Sequence, residues 1–143
     1  MQSAHQEHSI LVVDDDEEFL AQFQRLGDRF NIKTERFASD ALTSIQEGDY
    51  CIVISDNRMR EAPGMPEHER AGLIFLEEVR KKNPGSLRVL VTSWSKEGIR
   101  PSFSREARVN RLIGKLDVIT DDEWTEELNR LIELHRKERP DTH

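Results

Sequence analysis

Residues 10–16 read ILVVDDD, an apolar run of four residues followed directly by three acids. An apolar run without polar alternation is typical of a strand that is covered on both faces in a parallel sheet. Two further runs of this kind follow, at residues 50–55 and 87–91. Together they predict a parallel sheet with helices packed on both of its faces.

Helical patterns alternate with these runs along the chain. Apolar residues recur at three- and four-residue intervals within residues 19–26 and again within residues 73–79. The weaker elements are a strand at residues 32–37, a helix at residues 40–47 with Ser39 as its N-cap, and a strand at residues 111–114. Five strand–helix units in succession predict a doubly wound, five-stranded α/β sheet.

The last helix has the clearest start signal. Thr120 and Glu123 form a capping-box pattern, in which each side chain accepts a hydrogen bond from the other residue's backbone. Apolar residues then recur on one side, and the basic residues near Lys137 are typical of a helix end. This pattern predicts a helix from about residue 121 to residue 137.

Two segments depart from the alternation. Residues 60–71 contain two prolines and Gly64, which predicts a long loop after the third strand. Residues 95–109 should hold a further helix, but Gly98 and Pro101 interrupt the pattern, so a short or irregular helix is expected.

Composition limits the classes of function. The chain has 143 residues and a formal net charge of −7, which argues against a nucleic-acid-binding surface. Its single cysteine, Cys51, lies in an apolar run and is expected to be part of the core. The sequence shows neither a membrane span nor the apolar middle of a signal peptide, which predicts a cytoplasmic protein with no membrane partner. We expect one domain at residues 9–138, between a flexible N-terminal segment of residues 1–8 and a C-terminal tail of residues 139–143.

Polar and charged residues stand at the ends of the predicted strands. Asp14, Asp15 and Asp16 follow the first apolar run, and the third predicted strand ends in Asp56. Active crevices in open parallel sheets lie at the carboxyl ends of the strands, especially where the strand order reverses. If the first and third strands are neighbours, these acids converge with Thr92 and Lys115, which follow the fourth and fifth strands.

This combination suits metal-assisted phosphoryl chemistry. Close carboxylates repel one another unless a cation lies among them, and Mg²⁺ prefers such oxygen ligands. A carboxylate can also attack phosphorus and form an acyl phosphate, with a lysine and a hydroxyl group near the phosphoryl oxygens. The triplet from Asp14 to Asp16 has a simpler interpretation, as the acidic N-cap and first turn of the following helix.

The chain resembles the receiver domains of bacterial response regulators from Ser9 to about Lys137. The resemblance rests on four segments in order: ILVVDDD at residues 10–16, YCIVISD at residues 50–56, VLVTS at residues 89–93 and LIGK at residues 112–115. It implies a flavodoxin-like fold in which phosphorylation switches a partner-binding surface.

The resemblance also implies a metal site. Asp14 and Asp15 would hold Mg²⁺, with Mn²⁺ as a substitute, and Asp15 is the stronger candidate for direct coordination. Asp56 would be a further ligand, together with the backbone carbonyl of Arg58. The family uses the first two acids of its acidic motif, which leaves Asp16 as the weakest candidate.

The same resemblance assigns the phosphoryl chemistry. Asp56 would accept the phosphoryl group from a sensor histidine kinase or a phosphotransfer protein, and Thr92 and Lys115 would each contact one of its oxygens. The chain would catalyse this transfer and a slow dephosphorylation on itself, and no stand-alone enzyme is expected. The partners would also include an unknown downstream protein, or a second copy bound through the last helix.

Several positions depart from the family pattern. Arg60 stands in place of a usual proline, and residues 60–71 contain an insertion. Leu112 occupies the position of the switching aromatic residue, and Leu116 replaces the proline after the lysine. Arg58 and Trp94 occupy the two positions that influence how water reaches the acyl phosphate, and we hypothesise that their bulk slows dephosphorylation.

Two alternatives remain open. One is an interaction module of the same fold in which phosphorylation is lost or secondary. The other is a haloacid-dehalogenase-like phosphatase, whose Asp-x-Asp motif Asp14 and Asp16 would match, although Glu17 and Glu18 follow where that family has other residues.

Overall fold

The computed structural model describes residues 8–92 and 109–138. The strands are β1 (Ser9–Val13), β2 (Asn31–Glu35), β3 (Ile52–Asp56), β4 (Met59–Arg60), β5 (Glu67–His68), β6 (Leu87–Thr92) and β7 (Arg111–Gly114). The helices are α1 (Glu17–Arg25), α2 (Ala38–Glu47), α3 (Ala71–Lys82) and α4 (Asp121–Glu138), and a 3₁₀ turn, Leu26–Asp28, follows α1.

Five strands form one parallel sheet in the order β2-β1-β3-β6-β7. The chain moves from β1 outward to β2 and then returns to the other side of β1 to form β3. The strand order therefore reverses between β1 and β3, which is where crevices open in folds of this kind. The prediction of a doubly wound, flavodoxin-like α/β sheet is confirmed.

The strands are apolar throughout because each face of the sheet is covered by a separate hydrophobic core. Alternate side chains of a strand point to opposite faces of the sheet. In β1, Ile10 and Val12 pack on the side of α1 and α4, whereas Leu11 and Val13 pack on the side of α2 and α3. All four side chains are fully buried, so neither set could be polar without loss of core contacts. Cys51 is only partly buried and packs against the α1–α4 core.

The capping box at the start of α4 is confirmed. Thr120 Oγ1 accepts a hydrogen bond from the Glu123 backbone N–H at 3.1 Å, and Glu123 Oε1 accepts one from the Thr120 N–H at 3.1 Å. The helix then continues to Glu138. Among the described residues, no helix combines the length and the apolar character needed to cross a membrane.

Three local predictions need correction. Ser39 is not the N-cap of α2, since the helix begins at Ala38 and the Ser39 backbone N–H donates to the carbonyl of Glu61 at 2.8 Å. A backbone partner from a distant segment therefore replaces the expected side-chain cap. The strand β2 also ends at Glu35, two residues before its predicted end. The strand β3 ends at Asp56 as predicted, but it begins at Ile52, two residues after the predicted start.

Residues 60–71 are more ordered than the predicted loop. Met59–Arg60 pairs antiparallel with Glu67–His68 to form a small two-stranded sheet. Gly64 lies between the two strands with a φ of 82°, a left-handed conformation that glycine adopts without steric cost. Met59 is fully buried, which anchors this hairpin to the domain.

Four predicted features lie mostly or wholly outside the described residues, among them the C-terminal tail of residues 139–143 and all of the N-terminal segment except His8. The helix expected at residues 95–109 shares only Val109 with them, and Trp94 lies outside as well. His8, which the sequence predicts to be part of the N-terminal segment, packs its ring edge-on against His135 with 5.6 Å between the ring centroids.

Candidate functional site

The carboxyl ends of the central strands bring the polar residues to one edge of the sheet. In the strand register, Val13 is opposite Ser55, Asp56 is opposite Val91, and Thr92 is opposite Gly114. The residues that follow β1 and β7, Asp14 and Lys115, therefore lie at the same edge as Asp56 and Thr92.

Three carboxylates form a compact cluster at this edge. Asp14, Asp15 and Asp56 each place one oxygen within 4.8 Å of the others. Asp14 is fully buried, Asp56 is 8% exposed and Asp15 is partly buried. We call these three residues the acidic cluster.

Asp16 lies outside the acidic cluster and caps a helix. Its carboxylate accepts hydrogen bonds from the backbone N–H groups of Glu18, at 3.0 Å, and Phe19, at 3.4 Å, and so caps α1. The helix-cap interpretation of the acidic triplet is thus correct for its last member only. This placement removes the second acid that the phosphatase alternative needs in its Asp-x-Asp motif.

Lys115 supplies the positive charge of the site. Its ammonium nitrogen is 2.7 Å from Asp14 Oδ2 and 3.4 Å from Asp56 Oδ2. The ammonium group also lies over the ring of Phe19, 4.5 Å from the centroid, in a cation–π contact. Sequence reasoning placed Phe19 only in the apolar face of α1, because its contact with Lys115 joins residues far apart in the chain.

The charges of the cluster are only partly balanced. The pKa of Asp56 is raised to about 7, chiefly by burial and then by the neighbouring charge of Asp14, while Lys115 opposes the shift. Burial likewise raises the pKa of Asp14 despite its ion pair with Lys115. Burial alone would lower the pKa of Lys115, but the two carboxylates outweigh it and the pKa is raised.

The cluster fits a divalent cation. Three carboxylate oxygens at this spacing are hard ligands of the kind that Mg²⁺ prefers. The raised pKa values of Asp14 and Asp56 indicate that one lysine does not neutralise the buried negative charge. A cation among these oxygens would favour the ionised carboxylates.

The first turn of α3 presses against the backbone after β3. The N–H of Gly72 donates to the carbonyl of Asn57 at 2.9 Å, and the Asn57 N–H donates to Asp56 Oδ1 at 2.9 Å. A Cβ atom on Gly72 would lie only 1.9 Å from the carbonyl oxygen of Asp56. Gly72 therefore permits the close approach that fixes the backbone of Asp56.

The hairpin of β4 and β5 contacts the cluster directly, which the sequence did not predict. The backbone N–H of Arg60 donates to Asp15 Oδ2 at 3.2 Å. The side chain of Arg58 pairs with Glu67 of β5 at 3.0 Å, with both groups about half exposed. Residues 59–68 thus form part of the surroundings of the cluster.

The remaining predicted residues have distinct surroundings. Thr92 is buried at the end of β6. Leu112 is partly buried and packs against the core on the α2–α3 side. The peptide bonds of the described residues are all trans, including the one before Leu116, and the Leu116 side chain is 77% exposed.

Similarity to known proteins is found at the level of three-dimensional structure and not of sequence. No protein-family model matches the sequence, and no curated protein matches it. The signal receiver domain of an HD domain-containing protein from Pseudomonas fluorescens is similar, with a TM-score of 0.74 and 23% identity over 97% of this chain and 96% of that one.

Two further solved structures are similar. A CheY-like response regulator receiver domain from Methanospirillum hungatei has a TM-score of 0.71 and 23% identity, covering 92% of this chain and 98% of its own. The response regulator TrrA from Thermotoga maritima, solved with Mg²⁺ and BeF, has a TM-score of 0.63 and 26% identity, covering 87% and 98%.

Proposed function

We propose that this chain, which has the fold of response regulator receiver domains, accepts a phosphoryl group on Asp56. The observation that carries the proposal is the position of Asp56, at the end of β3, within reach of two further carboxylates and Lys115. None of these residues alone indicates phosphoryl transfer. Their convergence where the strand order reverses, between β1 and β3, suits that chemistry.

The proposed transfer forms one bond and breaks one bond. A carboxylate oxygen of Asp56 attacks the phosphorus of a phosphohistidine, a P–O bond forms, and the P–N bond of the donor breaks. The bonding electron pair remains on the imidazole nitrogen. The closeness of Lys115 to Asp56 Oδ2 brings its positive charge beside the new phosphoryl group. Thr92, at the end of the neighbouring strand, offers a hydroxyl group as the second contact.

The proposal includes a Mg²⁺ site, with Mn²⁺ as a substitute. Asp14, Asp15 and Asp56 would hold the ion, and the backbone carbonyl of Arg58 would complete the protein's share of the ligands. The bound ion would neutralise charge on the phosphoryl oxygens. Lys115 meanwhile keeps its ion pair with the fully buried Asp14, and its contact with Phe19 restricts where the ammonium group can move.

We further propose a phosphoryl donor and a downstream partner for the chain. The phosphoryl donor is a sensor histidine kinase or a phosphotransfer protein, and the proposal assigns the chain to the cytoplasm, where such a donor would meet it. The phosphorylated form would bind an unknown downstream protein or pair with a second copy through α4. Leu112 cannot perform the ring movement of the usual switching aromatic residue, so the surface change must follow a modified route.

Labelling with acetyl phosphate and Mg²⁺ tests the proposal. The chain is expected to gain the mass of one phosphoryl group, and Asp56→Asn is expected to abolish the gain because it removes the nucleophile. Asp16→Asn is the matched control: asparagine is also a good N-cap, and Asp16 lies outside the acidic cluster. Labelling that persists in Asp56→Asn would refute the assignment. An unlabelled chain under conditions that label another receiver would favour the interaction module instead.

The lifetime of the phosphoryl group gives a separate prediction. If bulk at Arg58 and Trp94 restricts the attacking water, Trp94→Ala should shorten the half-life of phosphorylated Asp56 several-fold. Trp94→Phe, which keeps an aromatic ring, should lie closer to the native value. The half-life is measured from the decay of the labelled protein by mass spectrometry. An unchanged or longer half-life in Trp94→Ala would contradict the hypothesis.

A further inference from the structure

A small apolar groove lies on the face of the domain formed by α2 and α3. It has a volume of about 220 Å³, and residues 61–65 of the β4–β5 hairpin form one of its walls. Its larger apolar lining residues are Leu42, Met65, Ile74 and Phe75. We call this the α2–α3 groove.

Part of this apolar lining is open to solvent. Ile74 is 49% exposed and Met65 is 46% exposed. They are two of the four large apolar side chains that are exposed in the described part of the chain, and both line the same groove. Contiguous exposed apolar groups at a concave site are typical of a binding surface.

The charged side chains known to line the groove are acidic. Among the described residues, its lining includes the carboxylates of Glu61 and Glu78 and no cationic side chain. The sequence of α2 contains Asp40 and Glu47 but no lysine or arginine. Glu78 has Lys81 at 3.5 Å, but both side chains are about half exposed, so solvent screens that pair. An occupant with apolar and cationic groups would complement this surface.

The wall that closes the groove is fixed by backbone contacts. The Ser39 N–H at the start of α2 donates to the Glu61 carbonyl at 2.8 Å, and the Met65 N–H donates to the Ala62 carbonyl at 3.2 Å. The first bond holds the hairpin against the start of α2, and the second closes the turn at residues 62–65. The groove therefore has a formed shape before any partner binds, which lowers the ordering cost of binding.

We propose that the α2–α3 groove binds a short amphipathic segment of a partner protein, with apolar residues on one side and lysine or arginine beside them. The apolar side would cover Ile74 and Met65, and the cations would lie near Glu61 and Glu78. This is the helix-in-groove mode of recognition at a small scale. The proposal does not depend on phosphorylation of Asp56.

Two synthetic helical peptides provide the test. One carries leucine at helical spacing with lysine between, and the other has glutamate in place of each lysine. The full chain, without phosphorylation, is titrated with each peptide while amide chemical shifts and fluorescence anisotropy are recorded. The lysine peptide should shift amides of α2, α3 and residues 61–65, and the glutamate peptide should bind about tenfold more weakly or worse.

Matched variants separate the groove from general attraction to an acidic protein. Ile74→Asp should weaken binding of the lysine peptide about tenfold, whereas Ile119→Asp, at a more exposed apolar residue outside the groove, should leave it unchanged. Met65→Gln repeats the test in the hairpin if Ile74→Asp destabilises α3. The double variant Glu61→Gln, Glu78→Gln should remove the preference for the lysine peptide.

Three results would overturn the proposal. They are shifts spread evenly over the surface, equal binding of the two peptides, and equal effects of Ile74→Asp and Ile119→Asp. Self-association of the native chain in sedimentation velocity that Ile74→Asp abolishes would also overturn it, because the occupant would then be a second copy.

Discussion

Gly72→Ala should destabilise the protein and impair phosphoryl acceptance at Asp56. The added Cβ atom would lie 1.9 Å from the Asp56 carbonyl oxygen and 2.8 Å from the Asn57 Cα. Both are backbone atoms, so no side chain can rotate away, and α3 must move from the end of β3. That movement would lengthen the 2.9 Å hydrogen bond from the Gly72 N–H to the Asn57 carbonyl. Overpacking of this severity costs about 3 kcal/mol or more.

Gly27→Ala is the matched control for this substitution. No atom lies within 4 Å of a Cβ built on Gly27, and its φ is not in the left-handed region. The free energy of unfolding, measured by denaturant titration, should therefore change by less than about 0.5 kcal/mol in Gly27→Ala. Labelling with acetyl phosphate should be slow or absent only in Gly72→Ala. Equal unfolding midpoints for the two variants would show that α3 does not press on Asp56 as described.

The metal-free protein should lose stability as the pH rises, because Asp56 is buried. In the metal-free protein, the folded state raises the pKa of Asp56 from 3.8 to about 7. Between these values the unfolded chain releases its proton and the folded chain keeps it, so the stability falls as pH rises and then levels off above about pH 7. The loss is at most about 4 kcal/mol, since a tenfold change in proton affinity corresponds to about 1.4 kcal/mol. Asp14, whose pKa is also raised, contributes with the same sign.

Added Mg²⁺ should recover much of this stability at pH 8, because a cation among the carboxylates favours their ionised forms. Asp56→Asn should be more stable than the native chain at pH 8 in EDTA, and it should gain less from Mg²⁺. Asp28→Asn, at an exposed position outside the cluster, serves as the control. Thermal unfolding at pH 5 and pH 8, with Mg²⁺ or EDTA, measures each difference. A native chain that is as stable at pH 8 as at pH 5 in EDTA would contradict the burial of charge at Asp56.

The sheet and the strand-end residues could be predicted because local patterns encode them. A strand buried on both faces must be apolar throughout, and the acids that follow it mark where the chain leaves the core. The contact between Lys115 and Phe19 could not be predicted, since it depends on where the folded chain places α1 relative to the residue that follows β7. The same holds for Ser39, where a distant carbonyl overrides the cap preference of the serine side chain.

The β4–β5 hairpin is the largest structural feature that the sequence did not predict. Two prolines and a glycine are compatible with a loop or with two short strands, and two paired residues on each side carry too little pattern to distinguish them. Its contact with Asp15 joins a backbone N–H to a carboxylate 45 residues earlier. Backbone donors have no sequence signature of their own, so such a contact emerges only from the folded chain.

Two consecutive residues of this hairpin form hydrogen bonds with different parts of the chain. The N–H of Arg60 reaches the acidic cluster, and the carbonyl of Glu61 reaches the start of α2 beside the groove. Any ligand that displaces one end of this dipeptide acts on the other through a single peptide unit. By thermodynamic linkage, a groove ligand that changed the Mg²⁺ affinity by some factor would have its own affinity changed by Mg²⁺ by the same factor. If the Mg²⁺ affinity is the same with and without the groove ligand, the groove and the cluster are independent. If it differs, the ratio of the two affinities gives the coupling free energy between them.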